Sequence, residues 1–333
     1  MKDRRKRNLI RRAKIVQEIR RFFAGEGFVE IETPYVVPSP GMEPHLSALE
    51  VFRTGPDGSR RKRYLHTSPE YAMKKLLAQG WEKIFQICRV FRDGEFGKTH
   101  QMEFTMLEWY RAQADYRRIM EDCERLLAHL AEAVWHCPEG NYQGQGIDLS
   151  IPAERMPVSV AMCNYGKVDI VRNTESRSLL AEARSKGYRF GPSADYSYEE
   201  VFFKVFLEAV EPRLGVPKPI LLYDYPAPMA ALARLKPGNS LWAERFELYV
   251  AGMELANAFS ELIDPDEQRK RFVEEQQARS ARGAPVYPID EGLLQALGRM
   301  PPSAGIALGV DRLVMLFCDA GTIQEVQAFA DDP

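Results

Sequence analysis

The residues of this chain best suited to chemistry are carboxylates and arginines set among apolar strand residues. In 103–110, Glu-Phe-Thr-Met-Leu-Glu-Trp-Tyr, alternation of faces puts Phe104, Met106, Glu108 and Tyr110 on one surface. A carboxylate beside aromatics is costly to bury alone, so Glu108 calls for a cation or a hydrogen-bond donor. A solvated strand end would explain it as well if it stood by itself. It has company, because Glu247, Glu254 and Glu261 recur in the otherwise apolar segment 243–262. Such oxygen-only donors suit magnesium carried with phosphates; the plainer alternative is a pair of unrelated edge acids. Glu247 and Glu254 have opposite parity, so a bulge or bend near Ala251 and Gly252 is expected to bring both to one site. Arg92 ends the strand 86–92, and Arg312 opens a helix directly after the strand 305–309. A helix start that carries an arginine is an anion site. Two such guanidinium groups can clamp a triphosphate and offset the charge that develops in an in-line displacement. Singly, either arginine reads rather as a surface ion-pair partner.

These residues need a scaffold that gathers distant segments. Helical spacing of Ile10, Ala13, Val16, Ile19 and Phe23 predicts a helix over 8–24 that stops near Gly25 and Gly27. A short strand at 28–31, a proline-rich stretch over 33–44, and strands at 46–53 and 62–67 about a Gly-Pro-Asp-Gly turn follow. Ser68 is expected to cap the next helix, with Pro69 at its first position. Strands over 84–91 and 103–111 read as a hairpin with a long tip, and 115–136 as an amphipathic helix. Residues 138–219 read as a mostly helical insertion or cover without chemistry. Strands return at 220–224 and 243–262, then a charged helix at 265–282, and the strand 305–309 runs into a helix from Val310. Meander order with segregated helices predicts an α+β fold, an antiparallel sheet flanked by helices. The alternating units and glycine-rich first turn of a doubly wound nucleotide fold are missing.

Bulk properties narrow the class. The chain has 333 residues, 45% hydrophobic and 28% charged, with a formal net charge of −2. No global positive field draws it to nucleic acid, although eight Lys or Arg fall within the first fourteen residues. That run reads as the solvated side of the first helix or as a basic arm. No apolar stretch is long enough for a bilayer, and the basic start lacks the apolar run and cleavage site of a signal peptide. Five cysteines without a CxxC pair fit a reduced, cytoplasmic chain.

The pattern resembles the lysyl branch of the class II aminoacyl-tRNA synthetases, and among them the short elongation factor P–(R)-β-lysine ligases. Residues 27–34 are similar to motif 1, Phe91-Arg92 through Tyr110 to motif 2, and 305–313 to motif 3. Thr67-Ser-Pro-Glu70 and 254–261 resemble blocks of the lysine-specific branch, and the likeness spans nearly the whole chain. The resemblance implies a homodimer built through motif 1 and one catalytic domain over 1–333. It implies ATP as substrate with Mg2+, and Arg92 and Arg312 as catalytic residues. Arg92 would touch the α-phosphate and the amino-acid carboxylate. Phe104 would stack on adenine, His100 would hold the ATP tail, and Arg312 would stack on adenine or meet the γ-phosphate. Glu247 and Glu254 would carry magnesium, with Asn257 assisting at both nucleotide and amino acid. Glu70 would take the α- or β-ammonium, and Glu108, Tyr110 and Glu261 the ε-ammonium. Where motif 2 normally reads Arg-x-Glu, this chain reads Arg92-Asp-Gly94-Glu95, so the ATP-binding acid is absent or moved by one, and Glu95 would substitute for it if the hairpin tip flexes around Gly94.

No oligonucleotide-binding barrel fits ahead of motif 1, which together with the near-zero charge argues against tRNA as acceptor. Ala307 occupies a pocket-floor position where synthetases of this branch carry glycine. A methyl in a tight pocket shifts discrimination by roughly 1–3 kcal/mol, here toward an amine moved by one carbon. The resulting expectation is activation of (R)-β-lysine as an acyl-adenylate and its transfer to a lysine of elongation factor P. The alternatives are a free-standing core that activates α-lysine for another acceptor, and a non-catalytic lysine-sensing paralogue.

Overall fold

The computed structural model describes residues 2–43, 45–192 and 195–330. Met1 of the basic start and Pro44, the last residue of the proline-rich stretch, lie outside the described residues. The chain divides into two compact units. The first holds residues 1–119 and 260–333, the second residues 120–259.

The first unit is built on strands in the order Val29–Glu30, Lys83–Phe91, Glu103–Ala112 and Ser303–Gly309. Lys83–Phe91 and Glu103–Ala112 form the expected hairpin, and Ser303–Gly309 pairs antiparallel with Glu103–Ala112. Val29–Glu30 departs from the all-antiparallel expectation by pairing parallel to Lys83–Phe91. In this register Glu108 stands between Gln86 and Ala307, and Tyr110 between Ile84 and Gly305. Cross-strand partners share a face, so one surface carries Gln86, Glu108, Tyr110, Gly305 and Ala307. The opposite surface packs on the first helix, Lys2–Gly25, where the Phe23 ring lies 4.9 Å from Phe85 and 5.1 Å from Trp109. Burial of these aromatics fixes the helix against the sheet. The helix begins earlier than its apolar spacing suggests, because its basic face is bonded rather than merely solvated. Arg4, Arg5 and Arg11 donate to the carbonyls of Asp319, Gln327 and Phe317.

Glu50–Thr54 and Arg60–Leu65 pair antiparallel, and Val36–Val37 adds to the latter. The helix after Pro69 spans Glu70–Leu77. Ser68 departs from the expected N-cap: Pro69 holds that position in a helical conformation without a side-chain cap. The Ser68 hydroxyl nonetheless accepts the Glu70 N–H at 3.0 Å. Pro265–Ala281 and Glu291–Leu297 complete the helices before the last strand, and Val310–Cys318 follows it.

In the second unit the strand order is Met253–Ser260, Asn239–Val250, Ile220–Pro226 and Glu154–Pro157, the last pair parallel. The segment 243–262, read as one strand, is a hairpin. Ala251 and Gly252 both adopt positive φ, 53° and 71°, and reverse the chain in two residues, the geometry that matches strand twist. The segment 138–219 also departs from its mostly helical reading. It opens with the hairpin Glu139–Tyr142 and Gln145–Asp148 before turning helical. Its helices bury Val158, Phe202 and Phe206 against Ile220, Leu222 and Tyr249, which makes them a cover over their own sheet. Among the described residues no helix is long and apolar enough to cross a membrane.

Candidate active site

The shared face of the first unit's sheet carries an acidic pocket. Glu108 is fully buried. Its Oε1 accepts from the Ser68 hydroxyl at 2.5 Å and its Oε2 from the Tyr110 hydroxyl at 3.1 Å. No lysine, arginine or histidine forms an ion pair with it among the described residues. Burial, and then the neighbouring Glu70 carboxylate, push Glu108 up to about 8, against the lowering effect of the two hydroxyls and Arg92. Glu70 and Glu261 share one cation. Lys74, 1% exposed, places Nζ 2.5 Å from Glu70 Oε1 and 2.6 Å from Glu261 Oε2. Burial alone would lower the Lys74 ammonium, but Glu261 and Glu70 hold it well above its ordinary value. Burial likewise raises Glu261, with Lys74 opposing the shift.

Glycine is required at 305. A Cβ there would fall 2.1 Å from the Tyr110 ring and 2.8 Å from Glu261 Oε1, so the missing side chain is what lets both approach the strand. Ala307 sits directly opposite Glu108 on the same face and, like Phe104, packs against the buried cluster of Cys88, Val90 and Met106. Gln86, on the other side of Glu108, is buried. Sequence reading missed Ser68 as a pocket residue, and also Lys74 and Gln86. Lys74 had a signal, since it follows Glu70 by one helical turn on the face that meets the sheet.

The two arginines flank the motif 2 tip. The Arg92 guanidinium lies 5.2 Å over the Phe104 ring and 3.6 Å from Glu95, and its Nε donates to the Thr67 carbonyl at 3.4 Å. Arg312 reaches back to the same loop, with Nη2 2.5 Å from His100 Nε2 and Nε donating to the Thr99 carbonyl at 3.4 Å. Desolvation, then Arg312, lowers the His100 imidazole, which therefore accepts from Arg312 in its neutral form. Asp311 sets the helix that carries Arg312. Its Oδ1 meets Arg12 at 2.6 Å and the Gln327 amide at 2.9 Å, while Oδ2 accepts the Thr105 N–H at 2.6 Å. Arg12, read as part of a solvated face, thus positions the start of motif 3.

The second unit gathers the remaining acids. Glu247 accepts from Arg245 at 2.6 Å through Oε1, and from the Tyr225 and Tyr249 hydroxyls at 2.5 and 2.6 Å through Oε2. Asn257 lies opposite Glu247 and accepts from Arg245 at 3.2 Å, and Glu254 lies opposite Tyr249. The register shifts between Leu248 and Tyr249. Reversal at Ala251 and Gly252, together with that shift, puts Glu247, Glu254 and Asn257 on one face, which resolves the parity problem differently from a bend in a single strand. Glu254 adds electrostatically to Tyr225, Arg245 and Tyr249. No group of three or more metal-binding side chains occurs among the described residues. Two carboxylates do fit magnesium, which keeps most of its shell for water and phosphate, and among the described residues Glu247 Oε1 has one partner, Arg245.

The first unit thus holds a buried acidic cluster beside two arginines, and the second a carboxylate cluster around Glu247. Residues 1–333 match the family described as tRNA synthetases class II (D, K and N).

Proposed function

We propose, from the premise that this chain belongs to the class II tRNA synthetases (D, K and N), that it activates (R)-β-lysine with ATP and passes the acyl group to a lysine ε-amine of elongation factor P. Activation of an amino acid by ATP follows from the family, whose members work with Mg2+. The choice of a diamino acid rests on one observation: Glu70, Glu108 and Glu261 converge on one buried cluster in which, among the described residues, Lys74 is the one lysine paired with them. A neutral side chain would leave that much carboxylate uncompensated. The preference for the β-isomer is supported by the Ala307 methyl opposite Glu108, which narrows the floor on which the substrate lies.

In this reading Glu108, Tyr110 and Glu261 receive the distal ammonium, and Glu70 receives the ammonium near the carboxyl group. Arg92 orients the substrate carboxylate against the α-phosphorus, Phe104 offers its face to adenine, and Arg312 with His100 holds the polyphosphate. Asn257 assists the nucleotide and the amino acid. Glu247 and Glu254 would hold magnesium, which would neutralise charge on the phosphates. Attack of the carboxylate oxygen on the α-phosphorus expels pyrophosphate, and the acceptor amine then displaces AMP from the acyl-adenylate. Catalysis is by positioning and electrostatic stabilisation, so no enzyme nucleophile takes part. Glu95, which pairs with Arg92, takes the place of the acid that Gly94 removes from motif 2. The family dimer is part of the proposal, with Val29, Tyr35 and Val36 as exposed apolar residues about motif 1.

The test is ATP–pyrophosphate exchange with each lysine isomer, followed by intact-mass measurement of elongation factor P after incubation with enzyme, ATP and the preferred isomer. Exchange preferring (R)-β-lysine and a mass gain of one β-lysyl group are expected. Preference for α-lysine would assign a free-standing lysine-activating core, and absence of any adenylate would assign a non-catalytic lysine-binding paralogue.

A further inference from the structure

The acidic pocket holds more negative charge than its cations match, and the mismatch is localised at Glu108. Lys74 closes ion pairs with Glu70 and Glu261 and has none with Glu108. The groups facing Glu108 are the Ser68 hydroxyl and the Glu70 carboxylate from the segment 68–77, Gln86 and Cys88 from Lys83–Phe91 with Arg92 just after it, and Tyr110 from its own strand. The strand Ser303–Gly309 presents only Ala307 to it. Beyond Glu70 lie Lys74, Glu261 and Glu43, the last raised by its own burial and by Glu70.

Hydrogen-bond directions locate the proton. The Ser68 hydroxyl accepts the Glu70 N–H at 3.0 Å and donates to Glu108 Oε1 at 2.5 Å. Oε1 is thereby fixed as an acceptor, and a proton carried by Glu108 belongs on Oε2, which faces Tyr110 at 3.1 Å. A phenol can accept as well as donate, so that bond reverses without movement of heavy atoms.

We propose that Ser68 is a positioning residue that fixes Glu108 for a proton-for-ammonium exchange, in which Glu108 releases the proton on Oε2 as the distal ammonium of a diamino acid arrives. This rests on the diamino-acid reading of the pocket. The exchange balances: an ammonium enters from solution, one proton leaves to buffer, and no bond between heavy atoms changes. It also gives selectivity a physical source. A substrate whose side chain ends in a methyl cannot displace the proton, and it leaves the pocket protonated with Glu108 unsatisfied by charge.

Titration calorimetry of the full chain with each lysine isomer, in buffers of different ionisation heat between pH 6.5 and 9, reads the exchange directly. Because burial and Glu70 push Glu108 up to about 8, release of about one proton per ligand is expected at pH 7, falling through half near pH 8. Over the lower part of that range the dissociation constant should fall about tenfold per pH unit. Ser68→Ala removes a donor that favours the carboxylate, so its half-release point should move upward, and Ser68→Thr should restore it; a purely structural serine would not move this midpoint. The analogue with a methyl in place of the distal amine should release no proton. Heats independent of buffer at pH 7 with a lysine isomer bound overturn the proposal while leaving the functional reading intact, as does a wild-type midpoint in a folded Ser68→Ala protein. If Ser68→Ala does not fold, the wild-type pH series and Ser68→Thr decide between the same two outcomes. Failure of either isomer to bind overturns the diamino-acid reading and the proposal with it.

Discussion

Glu108 and Glu247 are both buried carboxylates on strands, and their surroundings differ in one respect. Glu247 meets a guanidinium and two phenols. Glu108 meets two hydroxyls and another acid, with no cation paired to it among the described residues. The first has its countercharge built into the protein, since Arg245 is buried with it and held above its ordinary value by Glu247 against the cost of burial. In the proposed reading the second takes its countercharge from the substrate. A buried acid with an internal cation is a structural element that can lend its remaining lone pair to an ion; a buried acid without one is a receptor.

Substitution separates the two roles. Arg245→Met should have the largest effect, a loss of about 3–5 kcal/mol of stability, because it leaves Glu247 buried without its ion pair; chemical denaturation followed by circular dichroism measures it. Glu108→Gln should instead weaken binding of the preferred lysine isomer by roughly a hundredfold, read by pyrophosphate exchange, while the fold persists. Its stability should move the other way. A carboxylate raised from 4.5 to about 8 binds more protons folded than unfolded, so the wild type loses stability as pH rises between those values and is level above. Glu108→Gln removes that loss, so its melting temperature should exceed the wild type's by a margin that grows from pH 5 to pH 8. An equal margin at both pH values would show that Glu108 is ionised and satisfied without substrate, and the contrast with Glu247 would fail.

Much of this was legible beforehand, for local reasons. Alternation along 103–110 put Glu108 and Tyr110 on one face, and the register of the hairpin and of Ser303–Gly309 has them there. The hairpin, its long tip and the α+β class followed from strand and turn signals of a few residues each. Contacts between distant segments were not legible. Nothing near Ser68 in sequence says that its hydroxyl meets Glu108, forty residues on, and a lysine one turn after Glu70 reads as an ordinary helical pair until Glu261 joins it. The hairpin over 239–260 was hidden by its own composition: both strands are apolar, and the Ala251-Gly252 turn lacks the asparagine or aspartate that usually marks a two-residue reversal.

Ala307→Gly refines the receptor side of the comparison. Loss of the methyl opposite Glu108 should move the preference between lysine isomers toward α-lysine by roughly 1–3 kcal/mol, seen as a changed ratio of kcat/KM in exchange with the two substrates. An unchanged ratio would remove Ala307 from the account of specificity. The smallest effect is expected from Arg12→Ala, which takes from Asp311 an ion pair at 2.6 Å while Gln327 and Thr105 keep their bonds to it. A loss of about 1–2 kcal/mol and a raised KM for ATP are expected, with the KM for the amino acid unchanged.

That Arg12–Asp311 contact also orders events in time. The helix Lys2–Gly25 is synthesised first, yet what holds the seat of Arg312 is a carboxylate and an amide some three hundred residues later in the chain. A nascent chain can form its early hairpins by local pairing, but it cannot close this knot until positions 311 and 327 have left the ribosome. The seating of Arg312 is therefore acquired late, and a growing chain whose first hairpin has already paired still lacks it.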